Sequence, residues 1–243
     1  AKIPLTRGTR QGDPDSPGIF NLTFNVCLRW LALAGGGVFT NVGRHNAAAY
    51  ADDKALITNE GSNMDYLLNK VMSPFCNFTS AEISVEKSEI SAIDYATGQS
   101  LPTDMIRYNN KPIPHLPANK PFKYLGIGLQ LDLNFDAAII SVIDKTKEAV
   151  DWLRLGSAFT HGQRRMLFET CITPLFRYSA PLLPWSPAQM ALMDEVWLKA
   201  QIHIYRLSER IPRAPIFLST QHGGLGSPAA VEYLMKELAI HRS

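Results

Sequence analysis

Two adjacent carboxylates interrupt a short apolar run between residues 47 and 58, and that interruption constrains the fold more than any other feature of the chain. The run reads Ala47-Ala48-Ala49-Tyr50-Ala51-Asp52-Asp53-Lys54-Ala55-Leu56-Ile57-Thr58. Asp-Asp makes a poor strand interior and a good hairpin tip, so two antiparallel strands are expected with the acidic pair at the turn. Carboxylates placed side by side repel and lose hydration unless a cation compensates. Hard divalent ions take such oxygen ligands, typically one or two carboxylates completed by water and substrate phosphates. A solvated acidic turn is the other reading, and the pair alone does not separate the two.

Composition supplies the frame. The chain has 243 residues, 46% hydrophobic and 19% charged, which suits one large or two small folded domains rather than a disordered chain. The formal net charge is only +2 and does not announce a nucleic-acid partner, but the charge is unevenly placed. Residues 1–100 carry 8 basic against 10 acidic side chains; between Arg154 and Arg213 there are 8 basic against 4 acidic. An acidic first part and a basic later stretch suit metal binding followed by polyanion binding, and a mixed solvated surface fits the counts nearly as well. Cys27, Cys76 and Cys171 fit no zinc spacing and are odd in number, which predicts buried thiols in a reducing compartment. No run reaches the roughly eighteen apolar residues of a membrane helix, and no secretory signal opens the chain. An intracellular protein without a membrane partner, or a piece of something larger, is expected.

Periodicity divides the chain. Pro17 to Ala34 is a helix candidate through Phe20, Phe24, Leu28 and Leu31, ended by Gly35-Gly36-Gly37. After the acidic hairpin, 62–79 reads as an amphipathic helix through Met64, Leu67, Leu68, Val71, Met72 and Phe75. Short strands are expected at Ile83-Ser84-Val85 and at residues 90–93, a Pro- and Asn-rich connection over 101–120, and a strand over 122–127. Beyond Asn134 the pattern is helical, with candidates at 135–155, 160–178, 187–207 and 228–241. Thr160, Ser186-Pro187 and Ser227-Pro228 supply the start signals of the last three. The fold class is therefore α+β, with helices packed on an antiparallel sheet and then an all-α bundle, and a boundary near 130–134.

A second constellation precedes the first helix: Arg7-Gly8-Thr9-Arg10-Gln11-Gly12-Asp13-Pro14-Asp15-Ser16-Pro17. Two arginines, a glutamine and glycine-exposed backbone before a helix N-terminus make a cradle for phosphate and sugar groups. This stretch resembles the block written R-G-x-R-Q-G-D-P-L-S-P in reverse transcriptases of non-LTR retrotransposons, followed there by an apolar helix with F-N; here Ile19-Phe20-Asn21-Leu22 stands in that place. Ala49-Tyr50-Ala51-Asp52-Asp53 resembles the catalytic hairpin of that family. The stretch from Ile83 through Lys87 to Ile90 resembles its next, lysine-bearing block, and Phe122-Lys123-Tyr124-Leu125-Gly126-Ile127 its primer grip. His222-Gly223-Gly224-Leu225-Gly226 resembles the glycine-rich segment after the thumb. Five motifs stand in the family's order, and the nearest flavour is the site-specific, target-primed group with a carboxy-terminal nuclease.

The resemblance implies a partial palm with primer grip over 1–132, and a helical thumb with the start of a linker over 133–243. It implies RNA-templated DNA synthesis by two-metal nucleotidyl transfer, with Mg²⁺ or Mn²⁺ held by Asp52 and, in support, Asp53. Arg7, Arg10, Gln11, Gly12, Tyr50 and Ala51 are then expected at the nucleotide and template, and Phe122, Tyr124, Leu125 and Gly126 at the primer. Lys87 is a candidate general acid for the leaving pyrophosphate; a surface lysine ending a strand is its other reading. Arg154, Arg164, Arg165, Arg177 and Arg206 would track the backbone of an RNA–DNA duplex, a structural ion pair being the alternative for each. The implied partners are template RNA and primer DNA, and the implied location is the nucleus, where a chromosomal target lies.

Two departures stand against the pattern. Asp15 occupies a position that is usually apolar, and only Ala1 to Thr6 precede the R-G-x-R-Q-G-D-P block, where family members carry a further aspartate block and the fingers. The 243 residues are thus expected to be inactive alone, and to associate with the remainder of a parent protein or with themselves. A catalytically dead, reverse-transcriptase-like scaffold that binds nucleic acid is the alternative function.

Overall fold

The computed structural model describes residues 13–155 and 158–240. The chain divides into two compact units, Ala1–Leu133 and Asn134–Ser243. Both helices and antiparallel hairpins are present in the first unit, and the second is helical. The class is α+β.

The first unit begins with helix α1, Ser16–Ala34, which has Pro17 in its first turn and stops at Gly35 (φ +80°). Proline costs nothing at that position, where its missing N–H has no helical acceptor. Gly35, Gly36 and Gly37 all have positive φ. At Gly37 the requirement is also steric, because a Cβ there would run into the His45 carbonyl and Asn46. The chain then forms two hairpins, β1 (Val38–Thr40) with β2 (Gly43–His45), and β3 (Ala47–Tyr50) with β4 (Asp53–Leu56). Buried Asn46 joins them to α1: its side-chain amide donates to the carbonyls of Leu31 and of Gly35 (3.1 Å). Its own carbonyl accepts from the Ile57 N–H at 2.9 Å.

The helix expected over 62–79 is one helical run in three parts: α2 (Gly61–Tyr66), a π segment (Leu67–Met72) and α3 (Ser73–Thr79). Pro74 explains the widened turn. It lacks an N–H and its ring crowds the carbonyl four residues back, so the Ser73 N–H reaches one residue further, to Leu68. The same device recurs in the second unit, where a π segment (Phe168–Ile172) precedes Thr173-Pro174 and the Thr173 N–H bonds to Phe168. The core of the first unit lies between α1 and this helical run. Cys27, Leu31, Leu67, Val71, Met72, Phe75 and Cys76 form it, with Phe24, Leu28 and Leu56 against its edge.

Several expectations for residues 80–130 are corrected. Ile83-Ser84-Val85 is not a strand; Val85–Lys87 is a 3₁₀ turn, and residues 90–93 contribute only single bridges, Ile90 to His115 and Ile93 to Ser100. Glu86-Lys87-Ser88-Glu89 puts charge where a ladder would need paired apolar faces. The 101–120 connection contains a two-residue-turn hairpin, β5 (Arg107–Tyr108) with β6 (Lys111–Pro112), in which Asn109 and Asn110 both take positive φ. The strand expected over 122–127 is instead a hairpin, β7 (Phe122–Tyr124) with β8 (Ile127–Leu129), because Leu125 (φ +48°) and Gly126 (φ +84°) reverse the chain. Positive φ at both turn residues matches the twist of paired strands. The described residues form four separate two-stranded ladders, not one continuous sheet.

In the second unit, α4 (Asp136–Leu155), α5 (His161–Leu167), α6 (Thr173–Ser179), α7 (Pro187–Tyr205), α8 (Ala214–Phe217) and α9 (Ala230–Ile240) follow in order. Thr160 with Gln163, and Ser186 with Gln189, form reciprocal capping boxes that begin α5 and α7. Helix α9 starts at Ala230 rather than at Pro228, where the Ala230 N–H donates to the Asp194 carboxylate at 2.9 Å. Trp197 is fully buried at the centre, with the rings of Phe168, Phe176 and Tyr233 5.2, 5.4 and 5.5 Å away. Cys27 and Cys76 are buried as expected, but Cys171 is exposed on the outer side of its π segment. Among the described residues, no helix is long and apolar enough to cross a membrane.

Candidate active site

The β3–β4 hairpin presents the acidic pair as the sequence suggests. Tyr50 pairs with Asp53, which leaves Ala51 and Asp52 as the two turn residues. Ala51 takes φ +51°, a left-handed conformation that disfavours a residue with a Cβ. Asp52 and Asp53 are exposed, as is Tyr50 at 68% of its full surface. The apolar residues behind them face the other way: Ala47 and Leu56 pack against the core under α1. The tip is thus a solvent-exposed carboxylate pair on a stem whose Ala47 and Leu56 pack against the core. Such a pair can accept hydrogen bonds, coordinate a hard cation through oxygen, and orient a hydroxyl or phosphate.

Beside the tip lies an open groove of about 470 Å³. Gly18, Asn21, Leu22 and Asn25 of α1 form one wall, and Ala49 and Ala51 of the hairpin the other. The groove pairs two side-chain amides with apolar residues, with Phe24 and Leu28 of α1 also in its lining.

Lys54 sits beneath the tip, and sequence reasoning missed it. It is half-buried on β4 opposite Ala49, and its ammonium lies 3.8 Å from the centroid of the Phe24 ring. Burial pulls its pKa below the usual lysine value, and Cys27, Asp52, Cys76 and Asp53 act in the opposite direction when ionised. Burial also pushes the Cys27 thiol up to about 11, with Cys76 adding to the effect, so the thiols beneath the hairpin are uncharged at neutral pH. The available signal was the period-2 alternation, which places Lys54 on the same side as Ala49. Asn46 was also missed, since nothing in its local sequence marks the two carbonyls it satisfies.

The remaining candidates are distributed. Arg7, Arg10, Gln11 and Gly12 lie outside the described residues. Lys87 is exposed at the end of its 3₁₀ turn, and among the described residues no hydrogen bond or ion pair joins it to the tip. Phe122, Tyr124, Leu125 and Gly126 make up the first strand and turn of β7–β8, with Phe122 opposite Leu129 and Tyr124 opposite Ile127. In the second unit, Arg154 is exposed at the end of α4, and Arg165 pairs with Glu169 at 2.9 Å with both side chains more than half exposed. Arg177 is exposed on α6. Arg206 caps α7 and donates to the Phe159 carbonyl at 3.2 Å. Arg164 differs from all of these: it is buried, and its guanidinium donates to the His203 carbonyl at 2.8 Å. That contact satisfies the end of α7 and turns the charge inward. Among the described residues, no group of three or more His, Cys, Asp or Glu side chains is arranged to hold a metal ion.

Residues 1–129 match the reverse transcriptase (RNA-dependent DNA polymerase) family, and the chain belongs to that family. It is also 32% identical over 124 residues to the retrovirus-related Pol polyprotein from type-2 retrotransposable element R2DM of Drosophila melanogaster. That similarity covers 50% of this chain and 12% of the relative's length. The ordered motifs from Arg7 to Ile127 lie inside the matched region.

Proposed function

We propose that this chain is the palm and thumb portion of a retrotransposon reverse transcriptase that copies RNA into DNA from a primer 3′-hydroxyl. The observation that carries the reading is the Tyr50-Ala51-Asp52-Asp53 turn, exposed on an apolar hairpin beside an open groove, within a stretch that belongs to the reverse transcriptase family. The palm corresponds to 1–132 and the thumb to 133–243. The likeness to the Pol polyprotein of a type-2 retrotransposable element supports a non-LTR element; target-primed synthesis at a nuclear, chromosomal site is part of the proposal. Intact Asp52 and Asp53 weigh against a catalytically dead scaffold.

In this reading Asp52 is the carboxylate that works directly at the primer end, and Asp53 supports it. Their oxygens and exposure fit Mg²⁺ or Mn²⁺, which would lower the pKa of the primer hydroxyl and offset charge on the leaving pyrophosphate. Ala51 lines the groove beside the acidic pair, exposed Tyr50 stands next to it for contact with the nucleotide, and Asn21 and Asn25 offer amides to a nucleotide in the groove. The β7–β8 turn at Leu125-Gly126 serves as a backbone ledge for the primer. Lys87 is kept as a candidate proton donor to pyrophosphate, acting once substrate brings the parts together. Exposed Arg154, Arg165 and Arg177 supply phosphate contacts to template–primer duplex.

The test is primer extension. In the complete polymerase, Asp52→Asn removes one of two negative charges at the tip and is expected to lower extension by more than about 10³-fold. Extension near the wild-type rate would refute the role of Asp52. In this reading the 243-residue chain alone is expected to extend no primer; robust synthesis by it would refute that part of the reading.

A further inference from the structure

Lys54 has a placement that the proposed roles do not use. It follows Asp53 on β4, and where Asp53 faces solvent, Lys54 turns in toward α1. Strand alternation calls for an apolar side chain at such a position, and partial burial of an ammonium group is costly. Ala49 opposite it is small enough to leave space for the lysine stem. The ammonium ends 3.8 Å from the Phe24 centroid and 5.9 Å from that of Phe20, both on α1. From there Nζ donates a hydrogen bond back to the backbone carbonyl of Asp52 at 3.2 Å. Phe24 carries the contact onward, its ring 5.5 Å from that of Phe75 in the core. One side chain therefore joins the acidic turn, the aromatic face of α1 and the centre of the unit. A leucine or methionine would pack the same space; only a cationic donor also ties down the turn carbonyl while resting on an aromatic face.

We infer that Lys54 is a positioning residue of the polymerase site, anchoring the Ala51-Asp52 turn to Phe24 of α1 and so fixing the direction in which the Asp52 carboxylate is presented. The inference rests on the reading of Asp52 as the carboxylate that works at the primer end. The turn needs such an anchor because it is a two-residue turn, exposed, and strained at Ala51. Displacements of about 1 Å at reacting groups lower rates by up to about a hundredfold, so a loosened turn should show in the chemical step rather than in substrate affinity.

The experiment compares wild type, Lys54→Met, Lys54→Arg and Asp52→Asn in the complete polymerase, by amide hydrogen exchange at the turn and by steady-state primer extension. Lys54→Met is expected to raise exchange of the amides of residues 51–53 about tenfold, and to lower kcat about tenfold with KM for nucleotide and for primer–template unchanged. Lys54→Arg keeps the charge, the donor and the stacking on Phe24, and is expected to restore both readouts to within about threefold of wild type. Unchanged protection in α1 establishes that the unit is folded; if Lys54→Met fails that check, the same readouts are taken on Lys54→Gln. Wild-type exchange and kcat in the neutral variant would overturn the inference, and so would an arginine variant as impaired as the methionine one. A looser turn with unchanged extension overturns it too: with Asp52→Asn inactive the failure belongs to Lys54 alone, and with Asp52→Asn active the reading of Asp52 fails with it.

Discussion

Ala51 carries the local cost of the acidic turn. A side-chain-bearing residue in the left-handed region is disfavoured by roughly 1 kcal/mol, and neither of its neighbours, Tyr50 and Asp52, relieves it by being glycine. Ala51→Gly is therefore expected to leave stability unchanged or to raise it by up to about 1 kcal/mol, whereas Ala51→Val should lower it by about 1–2 kcal/mol, read by urea unfolding. The pair of variants separates strain from function. If the left-handed turn serves only to aim Asp52, the glycine variant keeps the fold and lowers extension, because the turn gains freedom. Asn46 shows a different residue-scale effect. Its amide satisfies two carbonyls at the end of α1 in a buried setting, so Asn46→Ala should destabilise the first unit by about 1–3 kcal/mol by the same measurement.

At the scale of elements, the two proline-linked π segments show how one substitution sets the shape of a helix without ending it. Pro74 and Pro174 each remove a helical donor, and the chain answers by widening the preceding turn while the apolar face stays continuous. In the second unit the arginines separate by how their helices place them. Arg164 on α5 donates to the end of α7, so Arg164→Met should lower thermal stability without a specific change in the salt dependence of duplex binding. Arg165, one residue on, faces outward in an exposed ion pair with Glu169 that contributes little to stability. Arg165→Gln should leave the melting temperature within a degree or two. It should weaken binding of RNA–DNA duplex uniformly across sequences, reducing the salt slope by about one, as measured by fluorescence anisotropy at several salt concentrations.

At the scale of the whole molecule, α1 has one face in the core and another uncovered. Ile19, Leu22, Val26, Trp30 and Leu33 recur at helical spacing, and each exposes between 42% and 84% of its surface. A contiguous apolar stripe of this kind on an isolated chain favours association. The purified 243-residue chain is expected to sediment as a concentration-dependent oligomer, and Leu22→Glu with Leu33→Glu should shift it toward monomer in analytical ultracentrifugation. A wild-type chain that stays monomeric at high micromolar concentration would refute this.

What the sequence determined by itself was local and patterned. The acidic tip between two short strands, the helix after Pro17, the capped starts at Thr160 and Ser186, and the membership of a polymerase family all rest on neighbours within a few residues, or on motifs in a fixed order. Tertiary structure decided what depends on partners distant in the chain. The residues after Tyr124 form a turn rather than a longer strand because Leu125 and Gly126 adopt left-handed backbone, which their identities permit but do not demand. Cys171 is exposed and Arg164 buried, opposite to what a thiol and a guanidinium suggest, because helical phase and the end of α7 govern both. Lys54 reads as a surface charge until Phe24, 30 residues earlier, is folded beneath it. Pattern reports which face a residue prefers, whereas the contact that satisfies a buried charge or carbonyl is fixed only when the chain closes on itself.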